Sequence, residues 1–325
     1  AICFLGLAAA WGGLQLPRFG PRRLAMTGGA LYAAGNLLAG LALSLHSLPL
    51  LLLGYGVVGG IGLGLGYVTP VATSAKWFPD KKGLVTGMVV MGFGFGALFM
   101  TKLLAPLLLE ICDHDLVTVF LLIGGLMALL ILPAAAFLRN PPASANAAGT
   151  VPATLPAIPG AEIRQNLLSS RFIRMWLVFF CNITAGIMFI GFQSPMLQDL
   201  LKARDPALDS AALALAGASL IAVSSVCNGL GRLFWGGISD RIGRVPTYRL
   251  LLGSQLLVFL ALTQVREPLV FGILVCYILL CYGGGFGSMP SFVLDVFGSR
   301  LMPVIYGAIL TAWSLGGIAG PQIVA

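Results

Sequence analysis

Long apolar runs separated by short polar turns make up almost the whole chain. A helix needs about 20 apolar residues to cross the hydrocarbon core of a bilayer. Measured against this length, the pattern predicts ten membrane-spanning helices, at residues 1–16, 25–45, 48–75, 84–109, 116–138, 172–198, 211–237, 247–264, 268–294 and 303–325. The chain is therefore predicted to be an all-α, multi-pass membrane protein.

One long polar stretch lies between the fifth and sixth spans, and it is rich in Pro, Ala, Ser and Thr. Such a composition cannot build a core, so it predicts a mobile linker, with a short surface helix from Glu162. We predict an N-terminal helix bundle at 1–138, a cytoplasmic linker at 139–171 and a C-terminal bundle at 172–325. The first and last apolar runs are expected to be cut ends of a longer chain, since neither has the flanks of a signal peptide or a polar cap.

Composition excludes a soluble domain and argues against several functions. Of 325 residues, 58% are hydrophobic and 9% charged, whereas about 25% are charged in soluble domains. The net charge of +8 comes from short basic groups between apolar runs, and these form no single basic face for nucleic acid. The six cysteines lack metal-binding spacing, and no catalytic motif is present. We predict no metal, no cofactor and no enzymatic activity.

Charge asymmetry orients the spans. One set of alternate loops carries most of the Lys and Arg, and the opposite set carries only three. By the positive-inside rule, the basic set, which includes the linker, is cytoplasmic. We therefore place the chain in the cell (inner) membrane, with the lipid bilayer and a small organic anion as its partners, and we expect a monomer. The basic set is Arg18, Arg22, Arg23, Lys76, Lys81, Lys82, Arg139, Arg164, Arg171, Arg174, Arg241, Arg244, Arg249 and Arg300.

Two segments recur in the second half of the chain. Aligning "GGLQLPRFGPRR" with "GGISDRIGR" pairs Gly13 with Gly236, Arg18 with Arg241 and Gly20 with Gly243. A longer match, from 64–96 to 284–317, pairs Gly87 with Gly307 and Phe93 with Trp313. Two similar bundles in the same orientation are typical of a secondary transporter with its substrate site near the midplane between them.

The loop "GGISDRIGR" resembles the signature loop of the major facilitator superfamily. The resemblance implies two six-helix bundles related by a pseudo-two-fold axis, of which about ten of twelve helices, numbers 2 to 11, are present. The blocks "GLGYVTPVATSAKWFPDKKGLVTG" and "AGIMFIGFQSPMLQD" are similar to the oxalate/formate antiporter family and its monocarboxylate-transporter relatives. The loop motif implies conformational control by Gly236, Asp240, Arg241, Gly243, Arg244, Arg18 and Gly20.

The chain also departs from the family. Pro17 replaces the acidic residue of the first loop. The oxalate transporter of the family is expected to clamp its two carboxylates with an arginine of helix 8 and a lysine of helix 11. Arg232 matches the arginine, but Trp313 stands at the lysine position, which puts a dicarboxylate in doubt.

Arg232 is the strongest site candidate. It lies about 12 Å along its helix from Asp240, and a buried arginine there needs a partner. Ser225, Asn228 and Arg232 recur at spacings of three and four, so they form a polar stripe that is expected to line the cavity. The alternative is a structural arginine that snorkels to headgroups or pairs with a loop carboxylate.

Neutral side chains complete the predicted site. Asn182 and Gln193 fall on one helix face and could bind a carboxylate or each other. An aromatic box with one cation would suit a small organic monoanion, although aromatic residues in membranes also serve packing. The predicted substrate-binding residues are Arg232, Asn228, Gln193, Tyr67, Tyr282, Trp313, Phe93 and Phe286.

We therefore predict a transporter of a small organic anion, a mono- or dicarboxylate, working by antiport and alternating access. All eleven Asp and Glu lie in loops or at helix ends, which disfavours a buried proton carrier. One alternative is a proton-coupled monocarboxylate symporter or drug-like carrier. The other is a receptor or sensor that has the same fold but does not transport.

Overall fold

The computed structural model describes residues 1–142 and 158–324, and nearly all of them are helical. Short π-helical segments, Leu52–Val58 and Met100–Leu104, and a 3₁₀ turn, Pro79–Lys81, join helices that follow one another closely. The helices are α1 Ile2–Ser44, α2 Leu48–Leu51, α3 Gly59–Trp77, α4 Lys82–Phe99, α5 Ala105–Ile111, α6 Leu116–Ala136, α7 Gly160–Leu167, α8 Ser170–Arg204, α9 Ser210–Ile242, α10 Arg244–Leu262, α11 Pro268–Ile309 and α12 Thr311–Val324.

Eight stretches of the described residues are long and apolar enough to cross a membrane. Two of them are double: α1 is broken at Gly20, with φ 76° and ψ 164°, and α11 is broken at Gly298, with φ 76° and ψ 169°. Each break falls between two predicted spans, so the prediction of ten spans is confirmed. The predicted short helix of the linker is also present as α7, while 143–157 of the linker lie outside the described residues.

The first repeat is visible in the backbone. Gly243 ends α9 with φ 90° and ψ 162°, close to the values at Gly20, with which the sequence register pairs it. A positive φ of this size is readily adopted by glycine, which has no Cβ. The same rare turn therefore reverses the chain at equivalent points of the two halves.

Contacts divide the chain into two compact units. The first contains Ala1–Asp80, Leu107–Leu177 and Pro290–Leu315, and the second contains the remaining described residues. These units do not follow the predicted boundaries at 138 and 172, because α4 packs with α9 and the start of α1 packs with the segment after Pro290. The division into two sequence-defined bundles stays a prediction.

In the first unit, close backbone contacts hold α1 to its neighbours. A methyl group added to Gly62 would overlap the backbone near Tyr32, and one added to Gly13 would overlap the carbonyl of Pro303. Small residues let membrane helices approach in this way. The glycine-rich run before Tyr67 is therefore a packing surface.

In the second unit, α9 packs tightly against both α4 and α11. A methyl group on Gly87 of α4 would overlap the carbonyl oxygen of Arg232 on α9. A corresponding contact occurs in the first unit, where a methyl group on Gly307 of α11 would overlap the carbonyl oxygen of Ala9 on α1. The repeat register pairs Gly87 with Gly307 and, continued, Ala9 with Arg232. The same helix crossing therefore occurs once in each unit, and only the second crossing carries a cation.

Candidate functional site

The polar stripe predicted on the seventh span lies on the buried face of α9. Ser225 is 5% exposed, Asn228 9% and Arg232 1%. The hydroxyl of Ser225 donates to the carbonyl of Ile221, so it satisfies itself within its own helix. Arg232 is the one charged residue of this stripe, and it is the most deeply buried of the three.

The guanidinium of Arg232 bonds within the second unit. One terminal nitrogen, NH1, donates to the carbonyl oxygen of Val90 on α4 at 3.0 Å. Its Nε lies 3.4 Å from the Oδ1 of Asn228, one turn earlier on α9. Arg232 neither snorkels to the surface nor forms an ion pair with any carboxylate that the structure describes. The geometry therefore does not match the alternative of a structural arginine that reaches the headgroups or pairs with a loop carboxylate.

Two aromatic rings complete the surroundings of the guanidinium. Its central carbon lies 5.6 Å from the ring centre of Phe93 on α4 and 4.9 Å from that of Phe286 on α11. Cation–π attraction of this kind operates within about 6 Å of a ring centre. Phe286 is itself held by Phe179 and Tyr282, at 5.0 and 5.1 Å between ring centres. Arg232, Phe93, Phe286 and Tyr282, four of the eight predicted site residues, therefore lie together in this unit.

Glycines bring the three backbones together at this point. A methyl group on Gly287 of α11 would overlap the carbonyl of Arg232, and one on Gly283 would overlap that of Asn228. The segment "GGGFG" (283–287) therefore provides close helix contact. The close approach is what allows one side chain of α9 to reach both α4 and α11.

Asn228 contacts the guanidinium of Arg232. Its side-chain oxygen faces Arg232, so it orients the guanidinium in this structure, and its part in holding a substrate remains a prediction. Arginine has five N–H donors in a planar fork. The contacts with Val90 and Asn228 engage two of them, and the other N–H groups can donate to a carboxylate oxygen.

Asn182 and Gln193 do not bond to each other. The amide of Asn182 donates to the carbonyl of Tyr282 at 3.3 Å and its oxygen accepts from Gln255 at 3.0 Å, so this residue links α8, α10 and α11. Gln193 is 3% exposed, and its Oε1 has no hydrogen-bond partner among the described residues. Substrate binding by Gln193 remains a prediction.

Tyr67 and Trp313 belong to the first unit. Their rings meet edge to face at 5.4 Å, and both are buried. Trp313 lies just after the short interruption at Leu310 between α11 and α12. The structure thus places the eight predicted site residues in two groups, one in each unit.

The predicted motif loop ends in a polar cluster. The two carboxylate oxygens of Asp240 accept from the backbone amides of Gly83 and Leu84 at 3.0 and 2.9 Å, and Arg244 lies 2.8 Å from the same carboxylate. Asp240 therefore caps the first turn of α4, whose amides have no partner within their own helix. A methyl group on Gly83 would also approach the carbonyl of Gly236.

Arg241 and Arg18 make no bond to the carboxylate of Asp240 in the part of the chain that the structure describes. Arg241 is exposed, and in the first unit Arg18 is exposed and stacks on its neighbour Phe19 at 5.5 Å. Pro17 stands where the second loop has Asp240, so the first loop has no matching carboxylate cap. In the part of the chain that the structure describes, no group of three or more His, Cys, Asp or Glu could hold a metal ion.

Some contacts of the site have no signal in the sequence. The carbonyl of Val90 and the amides of Gly83 and Leu84 are backbone groups, and any residue type could supply them. Glycines such as Gly283 and Gly287 are visible in the sequence, but the sequence does not show which backbone each of them contacts.

Comparison with known proteins agrees with this fold. Residues 1–321 match the family model of the Major Facilitator Superfamily. The chain is 31% identical to apicoplast pyruvate carrier 1 of Toxoplasma gondii over 92% of its own length and 63% of that protein. It is 27% identical to the oxalate:formate antiporter of Oxalobacter formigenes, over 95% of its own length and 69% of that protein.

Solved structures support the same fold. A crystal structure of the transporter FucP in the outward conformation matches 99% of this chain and 80% of its own, with a TM-score of 0.67 and 16% identity. The chain spans a little under two thirds of the pyruvate carrier. Because the family model covers almost all of the described helices, the chain belongs to the major facilitator superfamily, a family of transporters and not of enzymes.

Proposed function

We propose that the protein is a secondary transporter that carries a small organic anion, with Arg232 as the group that attracts the substrate carboxylate. The observation that carries this proposal is a fully buried guanidinium whose only described acceptors are two neutral oxygens, those of Val90 and Asn228. A charge buried in a membrane is costly unless it is paired. A substrate carboxylate would supply the missing negative charge.

The guanidinium suits one carboxylate. An arginine fork binds a carboxylate through two parallel bonds, and such charge-assisted bonds are about twice as strong as neutral ones. A carboxylate that reached Arg232 would therefore compete successfully with the Val90 carbonyl. Substrate binding to Arg232 would then break the hydrogen bond between Arg232 and Val90 on α4.

This competition favours exchange as the mode of transport. In the empty carrier Arg232 links α9 to α4 through Val90, and that link resists the separation of the two helices. A bound anion replaces the link, so the loaded carrier would change its access state more readily than the empty one. Antiport by alternating access follows from such a difference.

A monocarboxylate is favoured over a dicarboxylate. Phe93 and Phe286 surround the one buried cation with apolar rings, and Trp313 occupies the position where the family resemblance implies a second cation. The relatives carry names of both kinds, a pyruvate carrier and an oxalate:formate antiporter. Pyruvate and formate are therefore the first anions to test, with oxalate beside them. We place the chain in a cell membrane with its basic loops in the cytoplasm, acting as a monomer.

Counterflow in proteoliposomes tests the proposal. Vesicles with the full-length protein are loaded with unlabelled pyruvate, formate or oxalate, and uptake of the same labelled anion is measured with and without a pH gradient. Exchange predicts uptake that depends on internal anion and not on the gradient. Uptake driven by the gradient would indicate a proton symporter, and binding without flux would indicate a receptor.

Matched variants connect the flux to the site. Arg232→Ala should abolish counterflow, whereas Arg249→Ala removes the same charge from an exposed position of α10 and should leave it unchanged. Equal flux in the wild type and in Arg232→Ala would contradict the assignment of Arg232.

A further inference from the structure

A groove of about 450 Å³ opens on the second unit between the start of α4 and the end of α9. Its lining includes Lys81, Leu84, Phe234, Ile238, Asp240 and Arg241. It lies at the end of these helices that the charge asymmetry predicts to be cytoplasmic. Charged side chains therefore meet apolar ones where a membrane helix leaves the bilayer.

The charges of the groove do not cancel. Asp240 is compensated by Arg244 and by two backbone amides. Lys81 and Arg241 are exposed, and neither makes an ion pair or hydrogen bond with any residue that the structure describes. Two uncompensated cations thus line one cavity.

The remaining wall of the groove is apolar and continues along the helices. Phe234 on α9 is 52% exposed, and one turn further into the membrane Leu230 is 46% exposed. On α4, Met88 follows Leu84 by one turn and is 54% exposed. These side chains form two exposed apolar rows that lead away from the cations, within helices long and apolar enough to span a bilayer.

We propose that this groove binds an anionic phospholipid, with the phosphate on Lys81 and Arg241 and an acyl chain along Leu84, Met88, Leu230 and Phe234. Basic groups next to the cytoplasmic ends of membrane helices attract anionic headgroups. A soluble phosphate would use the cations but not the apolar rows, and an acidic peptide would not extend into the bilayer. The combination favours a lipid, and it does not depend on the substrate carried at Arg232.

Native mass spectrometry of the full-length protein in detergent tests the site. The probes are phosphatidylglycerol and phosphatidylcholine with identical acyl chains. The wild type should retain phosphatidylglycerol in preference. Lys81→Gln with Arg241→Gln should weaken that retention about thirtyfold, the factor that corresponds to ~2 kcal/mol for two headgroup contacts. Arg22→Gln with Arg23→Gln removes equal charge from exposed positions of α1 in the first unit, just after the break at Gly20, and should have no effect.

Further arms separate a lipid from an ion. Phe234→Ala should weaken retention of phosphatidylglycerol at least about threefold through lost apolar contact, and glycerol 3-phosphate at millimolar concentration should not displace the lipid. Unchanged melting temperatures would show that the variants fold. Equal retention by the Lys81/Arg241 double variant and the wild type would overturn the proposal. So would full displacement by glycerol 3-phosphate together with no effect of Phe234→Ala.

Discussion

The guanidinium of Arg232 donates a hydrogen bond of 3.0 Å to the backbone carbonyl of Val90. This bond joins α9 to α4 through the residue that we propose to bind the substrate. An uncharged acceptor is a weak partner for a buried cation, compared with a carboxylate. The same bond therefore stabilises the empty protein and leaves Arg232 open to a stronger acceptor.

Phe93 should control access to Arg232. Phe93→Leu removes the ring face that lies 5.6 Å from the guanidinium, whereas Phe93→Tyr keeps it. We expect p-hydroxyphenylglyoxal to modify Arg232 about tenfold faster in Phe93→Leu, a factor that corresponds to ~1.4 kcal/mol, and at the wild-type rate in Phe93→Tyr. Peptide mass spectrometry measures the rate, and equal rates in all three proteins would contradict the shielding role.

Gly87 should tolerate no side chain. Gly87→Ala places a methyl group against the carbonyl of Arg232, and overpacking of this kind costs about 1–3 kcal/mol. Gly92→Ala on the same helix meets nothing within 4 Å, so better helix propensity should make it neutral or slightly stabilising. Thermal unfolding in detergent compares the two. A melting temperature for Gly87→Ala at or above that of Gly92→Ala would refute the close crossing.

The cap on α4 gives a third prediction. Asp240→Ala leaves the amides of Gly83 and Leu84 without their acceptor, and loss of a cap costs about 0.5–2 kcal/mol. Hydrogen exchange in the first turn of α4 should become faster. Asp199→Asn changes an exposed carboxylate on α8 and should leave that exchange unaltered. If Asp240→Ala also leaves it unaltered, Asp240 does not cap α4.

Asp115 should make the first unit sensitive to acid. A hydrogen bond from the hydroxyl of Thr118 and others from the amides of Val117 and Thr118 lower the pKa of this carboxyl below its ordinary value. A lowered pKa means stabilisation that is complete above the unfolded-state pKa, about 3.9, and is lost as the pH falls through the folded-state pKa. Asp115→Asn keeps an N-cap but cannot titrate.

Melting temperatures measured between pH 5 and pH 3 check this expectation. The wild type should lose stability toward the acid end more steeply than Asp115→Asn. Parallel pH profiles for the two proteins would show that the carboxylate of Asp115 contributes nothing to the cap.

Much of the fold could be predicted from sequence, because the length and spacing of apolar runs are dictated by the bilayer. The breaks at Gly20 and Gly298 fall between predicted spans, and the pairing of Gly87 with Gly307 corresponds to one repeated crossing. The exact ends of the helices could not be predicted from the sequence, because π-helical segments such as Met100–Leu104 have no apolar pattern of their own.

The site was predictable only in part. A lone arginine on a polar stripe is conspicuous because membranes penalise charge, and its aromatic neighbours Phe93 and Phe286 were among the predicted residues. The Val90 carbonyl could not be predicted, since its role depends on how closely two backbones approach. Asn228 has a polar side chain at the right spacing, but spacing alone does not distinguish a residue that orients Arg232 from one that holds the substrate.

Equilibrium binding of a carboxylate to the purified full-length protein tests the central claim most directly. Calorimetry with pyruvate, formate and oxalate should find at least one ligand whose affinity falls about tenfold to a hundredfold in Arg232→Ala, as expected for lost bonds to a charged group, and stays unchanged in Arg249→Ala. Binding of every such ligand with equal affinity by Arg232→Ala and the wild type would contradict the account.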